Sequence, residues 1–206
     1  MVVESLSGRI PAEQRREQIL DAAIEQFGLS GYAGTTTDQV ARAAGISQPY
    51  VVRMFGSKER LYVAAVERAR DAVLDAFRAV LAAPAAEPDG HLMARLGAAY
   101  IDLVQDRGIL RMLMQGFLGG ADPVVGPVAR AGFLEIYRML RDEAGLAAAD
   151  AVDFLAHGML YNTLLTLALP EAADDTGREL LECAFGAKLD LVLRAVGPGS
   201  GSSGRA

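Results

Sequence analysis

The chain has one cysteine, no tryptophan, two histidines and only 6% aromatic residues. A single Cys183 excludes a disulfide within the chain and any cysteine cluster for a metal. A di-iron site in a helical bundle needs a glutamate three residues before each ligating histidine. Neither His91 nor His157 has one. Neither a Gly-x-Ser-x-Gly elbow nor a glycine-rich loop ending in Lys-Ser/Thr is present, so the common acyl-transfer and phosphate-cradling sites are missing. No catalytic residue, metal site or cofactor is therefore expected. No run of about 18 uninterrupted apolar residues occurs, and MVVESLSGRIPAEQ does not read as a signal sequence. The expected location is the cytoplasm, with no membrane partner. β-Branched residues nowhere alternate with polar ones in a strand-like run.

What remains is a helical composition. Apolar residues make up 51% of 206 positions, and alanine is very frequent. That length holds one or two domains and a sizeable core. The net charge of −6 is unevenly spread. Residues 1–70 hold nine Lys/Arg against eight Asp/Glu, and the rest hold eleven against eighteen. The acidic excess lies in the second part. The first part is near neutral, so non-specific attraction to phosphates is modest, and its cations would have to share a face to act together.

The most informative stretch is GYAGTTTDQVARAAGISQPYVVRMFGSKERL, Gly31 to Leu61. Thr36 stands where a hydroxyl can cap a helix, and Gln39, three residues on, completes a capping-box pattern. Val40, Ala41 and Ala44 make a narrow face of small apolar residues. Gly45 suits a left-handed residue at the end of that helix. Ser47 can cap the next helix, and Pro49 falls in its first turn. Gly56 breaks it near Phe55, and Ser57 can cap a third helix that begins with Lys58. Two short helices joined by a turn with glycine make a helix-turn-helix, whose second helix lies in the major groove of DNA.

The segment resembles the DNA-binding part of the TetR family of transcriptional regulators. The resemblance begins at RREQILDAAIEQFGLSGYAGTT and runs on through DQVARAAGIS and FGSKERLYVAAV, about Arg15 to Val66. The residues that carry it are Ile19 to Phe27, Gly31-Tyr32, Thr35-Thr36, Ala44-Gly45-Ile46-Ser47, Phe55, and Lys58-Glu59 before Leu61. One departure is plain. The family commonly has tyrosine three residues before the phenylalanine, and Val52 stands there. A tyrosine occurs at Tyr50 instead, and Met54 replaces a common histidine. The resemblance implies an all-α fold: a three-helix DNA-binding domain, then a helical ligand-binding and dimerisation domain. The expected divisions are an arm over 1–10, the head over 11–66, the second domain over 67–196 and a disordered Gly/Ser tail over 197–206.

The DNA-reading candidates are Thr36, Thr37, Gln48, Pro49, Tyr50, Arg53, Met54 and Lys58. Hydroxyls and free N–H groups at the positive helix end near Thr36 and Thr37 suit a phosphate, although capping alone also accounts for Thr36. Gln pairs with adenine and Arg with guanine through two edge atoms. Lys58 matches the family's phosphate-contacting lysine.

Periodicity places a long helix over 58–83, then helices near 91–106, 109–118, 123–144, 148–169 and 174–196. Effector-pocket candidates are Tyr100, Met114, Phe117, Phe133, Tyr137, His157 and Tyr161. For each, plain packing is the alternative, and a backbone carbonyl could satisfy His157. Leu160, Leu164, Leu167, Leu181, Leu189 and Val192 are candidates for a helical interface between two chains. Cys183 is expected to be packed inside. The function implied is a homodimeric regulator on double-stranded, near-palindromic operator DNA. It would be a repressor released by a small, largely apolar effector. The alternative is a helical small-molecule sensor or carrier whose head binds DNA only weakly.

Overall fold

The structure is a computed structural model that describes residues 11–84, 92–104 and 106–196. The arm expected over 1–10, most of the break at 84–90 and the tail expected over 197–206 lie outside the described residues. Among those described there are helices and no strands.

Four helices make the first unit: α1 (Ala12–Gly34), α2 (Thr37–Ala43), α3 (Gln48–Phe55) and α4 (Lys58–Ala82). The first helix reaches Gly34 because its last turn resumes after a break at Gly31 (φ 67°). Ile19, Leu20, Ala23 and Phe27 line its inner face and meet Val40, Val51, Leu61 and Ala65, all buried. The Thr36–Gln39 capping box forms in both directions. Thr36 Oγ1 accepts from the Gln39 N–H at 3.2 Å, and Gln39 Oε1 accepts from the Thr36 N–H at 2.7 Å. Gly45 turns the chain at φ +64° between α2 and α3, a conformation that strains a residue with a Cβ. Ser57 caps α4 by accepting from the Arg60 N–H at 3.1 Å. Ser47 does not cap α3 with its side chain. Pro49 removes one of the two N–H groups such a cap would use. The other, on Tyr50, bonds the Ser47 carbonyl at 3.0 Å.

The second unit is α5 (Leu92–Val104), α6 (Arg107–Leu118), α7 (Val125–Arg138), α8 (Ala148–Thr166), α9 (Leu169–Ala172), α10 (Asp175–Phe185) and α11 (Leu189–Val196). A π turn, Met139–Glu143, extends α7. The single helix expected over 174–196 is two, because Gly186 sits at φ +51° and a 3-10 turn follows. The 148–169 helix stops at Thr166, after which Ala168 adopts a left-handed conformation (φ 52°).

The two units share α4 and are clamped by α6, which crosses α1 closely. A methyl group at Gly28 would lie 3.1 Å from Arg111 Cβ and 3.2 Å from the Gly108 carbonyl oxygen. The backbones therefore approach nearer than any larger residue would allow. Further along α6, Gly116 packs on Val66 of α4 in the same way. Arg68 and Glu17 pair at 3.1 Å between α4 and α1. Arg70 pairs with Asp71 and also with Glu135 of α7 at 3.3 Å.

Candidate nucleic-acid interface and ligand cavity

The outer surface of the helix-turn-helix is built from exposed side chains held by local contacts. Gln48, Pro49, Val52 and Arg53 are exposed on α3, while Val51 and Phe55 point into the core. Tyr50 and Met54 are half-buried and pack partly against that core. The Arg53 guanidinium stacks on the Tyr50 ring, 4.7 Å from its centre. The stacked plane limits where the fork can point. The Gln48 side-chain amide donates to the Thr37 hydroxyl at 3.2 Å, tying the start of α3 to the start of α2. Lys58 Nζ sits 4.3 Å above the centre of the Tyr32 ring. Thr35 is buried and its hydroxyl donates to the Gln26 carbonyl at 3.0 Å, so it braces α1 rather than facing outward. The arrangement puts two amide and guanidinium groups on the exposed face of α3. It flanks them with hydroxyls at one helix start and an ammonium at another. Arg16 and Arg42 are occupied nearby, Arg16 over the Phe55 ring at 5.4 Å and Arg42 with Asp38 at 2.8 Å.

Behind α6 lies a cavity of about 440 Å³, part of it open to solvent, between α4, α5, α6, α7 and α8. Its walls are almost wholly apolar: Val73, Phe77, Leu113, Phe117, Phe133, Ile136, Phe154, Leu155 and Met159, with Tyr100, Gly158 and Asn162. The Phe117 and Phe133 rings meet edge to face at 5.7 Å, as do Phe77 and Phe154 at 5.6 Å. The polar pair is internal. Tyr100 donates its hydroxyl to Asn162 Oδ1 at 2.6 Å, and burial pushes the phenol up to about 12. The phenol therefore stays protonated and remains a donor at neutral pH. The Asn162 amide donates to the Met159 sulfur at 4.0 Å, a weak acceptor.

Of the effector candidates, Tyr100, Phe117 and Phe133 line this cavity. His157 and Tyr161 lie on an adjoining groove. The His157 ring is exposed, with Nδ1 2.8 Å from the Asp153 carbonyl. Tyr161 donates to the Ala184 carbonyl at 3.1 Å and stacks on Phe185 at 4.5 Å. Met114 and Tyr137 are outside the walls. Met114 is half-buried in the core, and Tyr137 lies under the Arg141 guanidinium at 5.6 Å. Val73, Phe77 and Phe154 were readable as apolar helix faces but not as cavity walls. Periodicity reports that a side chain turns inward, not whether anything fills the space it meets.

The interface candidates also divide. Leu160 and Leu167 are exposed, the latter at 68%. Leu164, Leu181 and Val192 are buried within the chain, and Leu189 is half-buried. Those four are core residues of one chain or its edge. The exposed apolar stripe also takes in Leu180 on α10, which the sequence places with these candidates, and Val152 on α8, which it does not. Cys183, expected inside, is exposed beside Leu180 on α10.

Replacing Tyr100 by Phe is expected to leave Asn162 Oδ1 buried without its donor. The cost is about 1–3 kcal/mol, read as a lower midpoint in urea unfolding.

Among the described residues no helix is long and apolar enough to cross a membrane. Among the described residues no group of three or more His, Cys, Asp or Glu is placed to hold a metal ion. Residues 19–65 match the family model described as bacterial regulatory proteins, tetR family. The chain is 38% identical over 73 residues to the HTH-type transcriptional activator FasR of Mycolicibacterium smegmatis. That match covers 35% of this chain and 33% of FasR, so it spans about a third of that relative's length. The HTH-type transcriptional regulatory protein RaaS of Mycobacterium tuberculosis is 32% identical over 170 residues, covering 77% of this chain and 79% of RaaS. The fold is shared with a TetR-like transcriptional regulator from Rhodococcus sp. RHA1, with a TM-score of 0.58 and 19% identity over 94% of this chain and all of that one. Helix-turn-helix geometry, an all-helical second unit and identity running through both units lead to one conclusion: the chain belongs to the TetR family of transcriptional regulators.

Proposed function

We propose that this protein is a homodimeric transcriptional repressor, acting in the cytoplasm and released from a near-palindromic operator by a small, largely apolar effector. Residues 11–66 form the DNA-binding head, and residues 67–196 hold the effector and the dimer interface. Gln48 and Arg53 read base edges from α3, with Tyr50, Pro49 and Met54 beside them. Thr36, Thr37 and Lys58 hold phosphates.

The observation that carries the reading is the double contact of α6. Leu113 and Phe117 wall the cavity, while Gly28 of α1 sits against Gly108 and Arg111 of the same helix. A ligand that enlarges the cavity displaces Phe117 or Leu113. Close-packed interiors transmit such a shift rather than absorb it, so α6 carries α1 and the head with it. In a two-fold dimer the two α3 helices must stand about 34 Å apart to meet successive major grooves. A ligand that binds best when that spacing is wrong lowers operator affinity by linkage. The relative FasR is described as an activator. The head alone therefore carries no sign, and the sign of control follows from where the operator lies relative to the promoter.

The test is binding of the purified protein to the DNA upstream of its own gene, at stated salt, against a scrambled duplex. Two chains per duplex and affinity falling with salt are expected. Failure on that DNA and in a random-sequence selection would turn the reading toward a carrier or sensor with a weak head. Lys58→Ala is expected to weaken binding to all sequences alike. It should lower the slope of log K against log salt by about one per chain, hence about two for the dimer. An unchanged slope would remove Lys58 from the phosphate contacts.

A further inference from the structure

The cavity does not end at Tyr100. Tyr100, Phe154 and Gly158 are also walls of a second groove, which lies between α5, α8 and the turn before α11. Met93, Ala94, Gly97, His157, Tyr161 and Lys188 complete it. The cavity and the groove therefore adjoin at Tyr100, Phe154 and Gly158.

Lys188 is the unusual member. It belongs to the 3-10 turn Gly186–Lys188, and its side chain crosses to α5, where a methyl group at Gly97 would overlap the ammonium. Glycine at this position leaves room for the charge to lie on the helix backbone. Among the described residues no carboxylate or other acceptor is bonded to that ammonium. The surroundings are aromatic and aliphatic, and burial lowers the lysine's affinity for its proton. A cation held partly out of water against an apolar wall, with no partner, loses hydration that an anion beside it would in part make good. His157 does not supply that anion. Its Nδ1 is bonded to the carbonyl of Asp153, so Nδ1 is the donor, and the ring carries no negative charge to offer the ammonium.

We propose that the effector is an amphipathic monoanion: a carboxylate whose hydrocarbon body fills the aromatic cavity while its head group pairs with the Lys188 ammonium in the groove. One unpaired cation matches one negative charge. A dianionic phosphate would leave a net charge against Phe154 and Met93. This rests on the reading of the cavity as the effector site and adds the chemical class of the effector.

The test uses the full-length dimer and two probes of equal chain length, decanoate and decan-1-ol, titrated calorimetrically below their aggregation limits. The unmodified protein is expected to bind decanoate about tenfold or more tightly than the alcohol, the difference that one charge-assisted pair supplies. Lys188→Met should abolish the preference, and Lys188→Arg should keep most of it. Gly97→Ala, which pushes the ammonium aside without removing its charge, should narrow it. Thermal melts of each variant identify any that fail to fold. Equal binding of the two probes by the unmodified protein, or a preference that survives in Lys188→Met, would overturn the anionic head group and leave the cavity reading standing. Binding of neither probe would overturn both.

Discussion

A protein carrying both Leu160→Asp and Leu180→Asp is expected to fold as a monomer and to hold its operator about a thousandfold or more less tightly. On α8, Val152, Ala156, Leu160 and Thr163 recur at helical spacing with Leu167 just past its end, and all are exposed. Val152 is 54% and Leu167 68% exposed. On the adjoining α10, Leu180 and Cys183 are exposed as well. Covering a leucine is worth about 1.5–3 kcal/mol. In a two-fold interface every residue counts twice, so the double variant would bury four carboxylates where four leucines lay. None of this touches the core of a single chain, so helicity by circular dichroism should be unchanged. Light scattering should give a mass near the 21.8 kDa of one chain. A lone chain meets one half-site, and its affinity drops toward the non-specific range. A variant that stays dimeric would place the interface elsewhere. Leu164→Asp is a different experiment. Leu164 is 3% exposed, so an aspartate there should unfold the chain.

The contrast between Leu160 and Leu164 shows what a sequence pattern can carry. Both lie in one apolar run, and helical periodicity puts them on one broad face. Which edge of that face meets the chain's own core depends on how α8 is rolled against α5, α7 and α10, and α8 is apolar over too wide an arc to fix that roll. Cys183 fails for the same reason. It lies among apolar residues of α10, of which Gly177, Leu181 and Phe185 turn inward and Cys183 does not.

Local signals fared better because their physics is local. The Thr36–Gln39 box needs only the spacing of a first turn, and Gly45 needs only one φ value. Where two local rules compete, the stronger wins: Pro49 deletes the donor that Ser47 would have capped. The cavity is the opposite case. Its walls come from five helices spread over ninety residues, from Val73 to Asn162. An aromatic that lines a void and one that fills it have the same sequence spacing. Tyr100, Phe117 and Phe133 stand at the void, Tyr137 does not, and nothing within their own helices separates them. Lys188 gave no signal at all, since its interest lies in meeting Gly97 across ninety-one positions and in having no partner there.

Arg53→Ala should relax base preference at one position in each half-site and weaken operator binding by about 30-fold to about 10⁴-fold. A bidentate contact to guanine is worth about 1–3 kcal/mol, and the dimer makes it twice. The structure adds a reason to expect the upper part of that range. With its guanidinium already stacked on Tyr50 at 4.7 Å, Arg53 loses less rotamer freedom on meeting a base than a free arginine would. Tyr50→Ala is therefore expected to cost part of the same affinity, with the same position losing its preference. The two losses should not add, because the tyrosine acts through the arginine. Arg53→Lys keeps the charge but neither the planar fork nor the stack. It should resemble Arg53→Ala in base preference while keeping the salt slope. A selection from randomised half-sites with each variant separates these outcomes. If Arg53→Lys preserves the base preference, Arg53 acts as a charge on the phosphate backbone, and the base reading falls to Gln48. In that event Gln48→Ala, not Arg53→Ala, should relax the site, and its loss should show at one position per half-site.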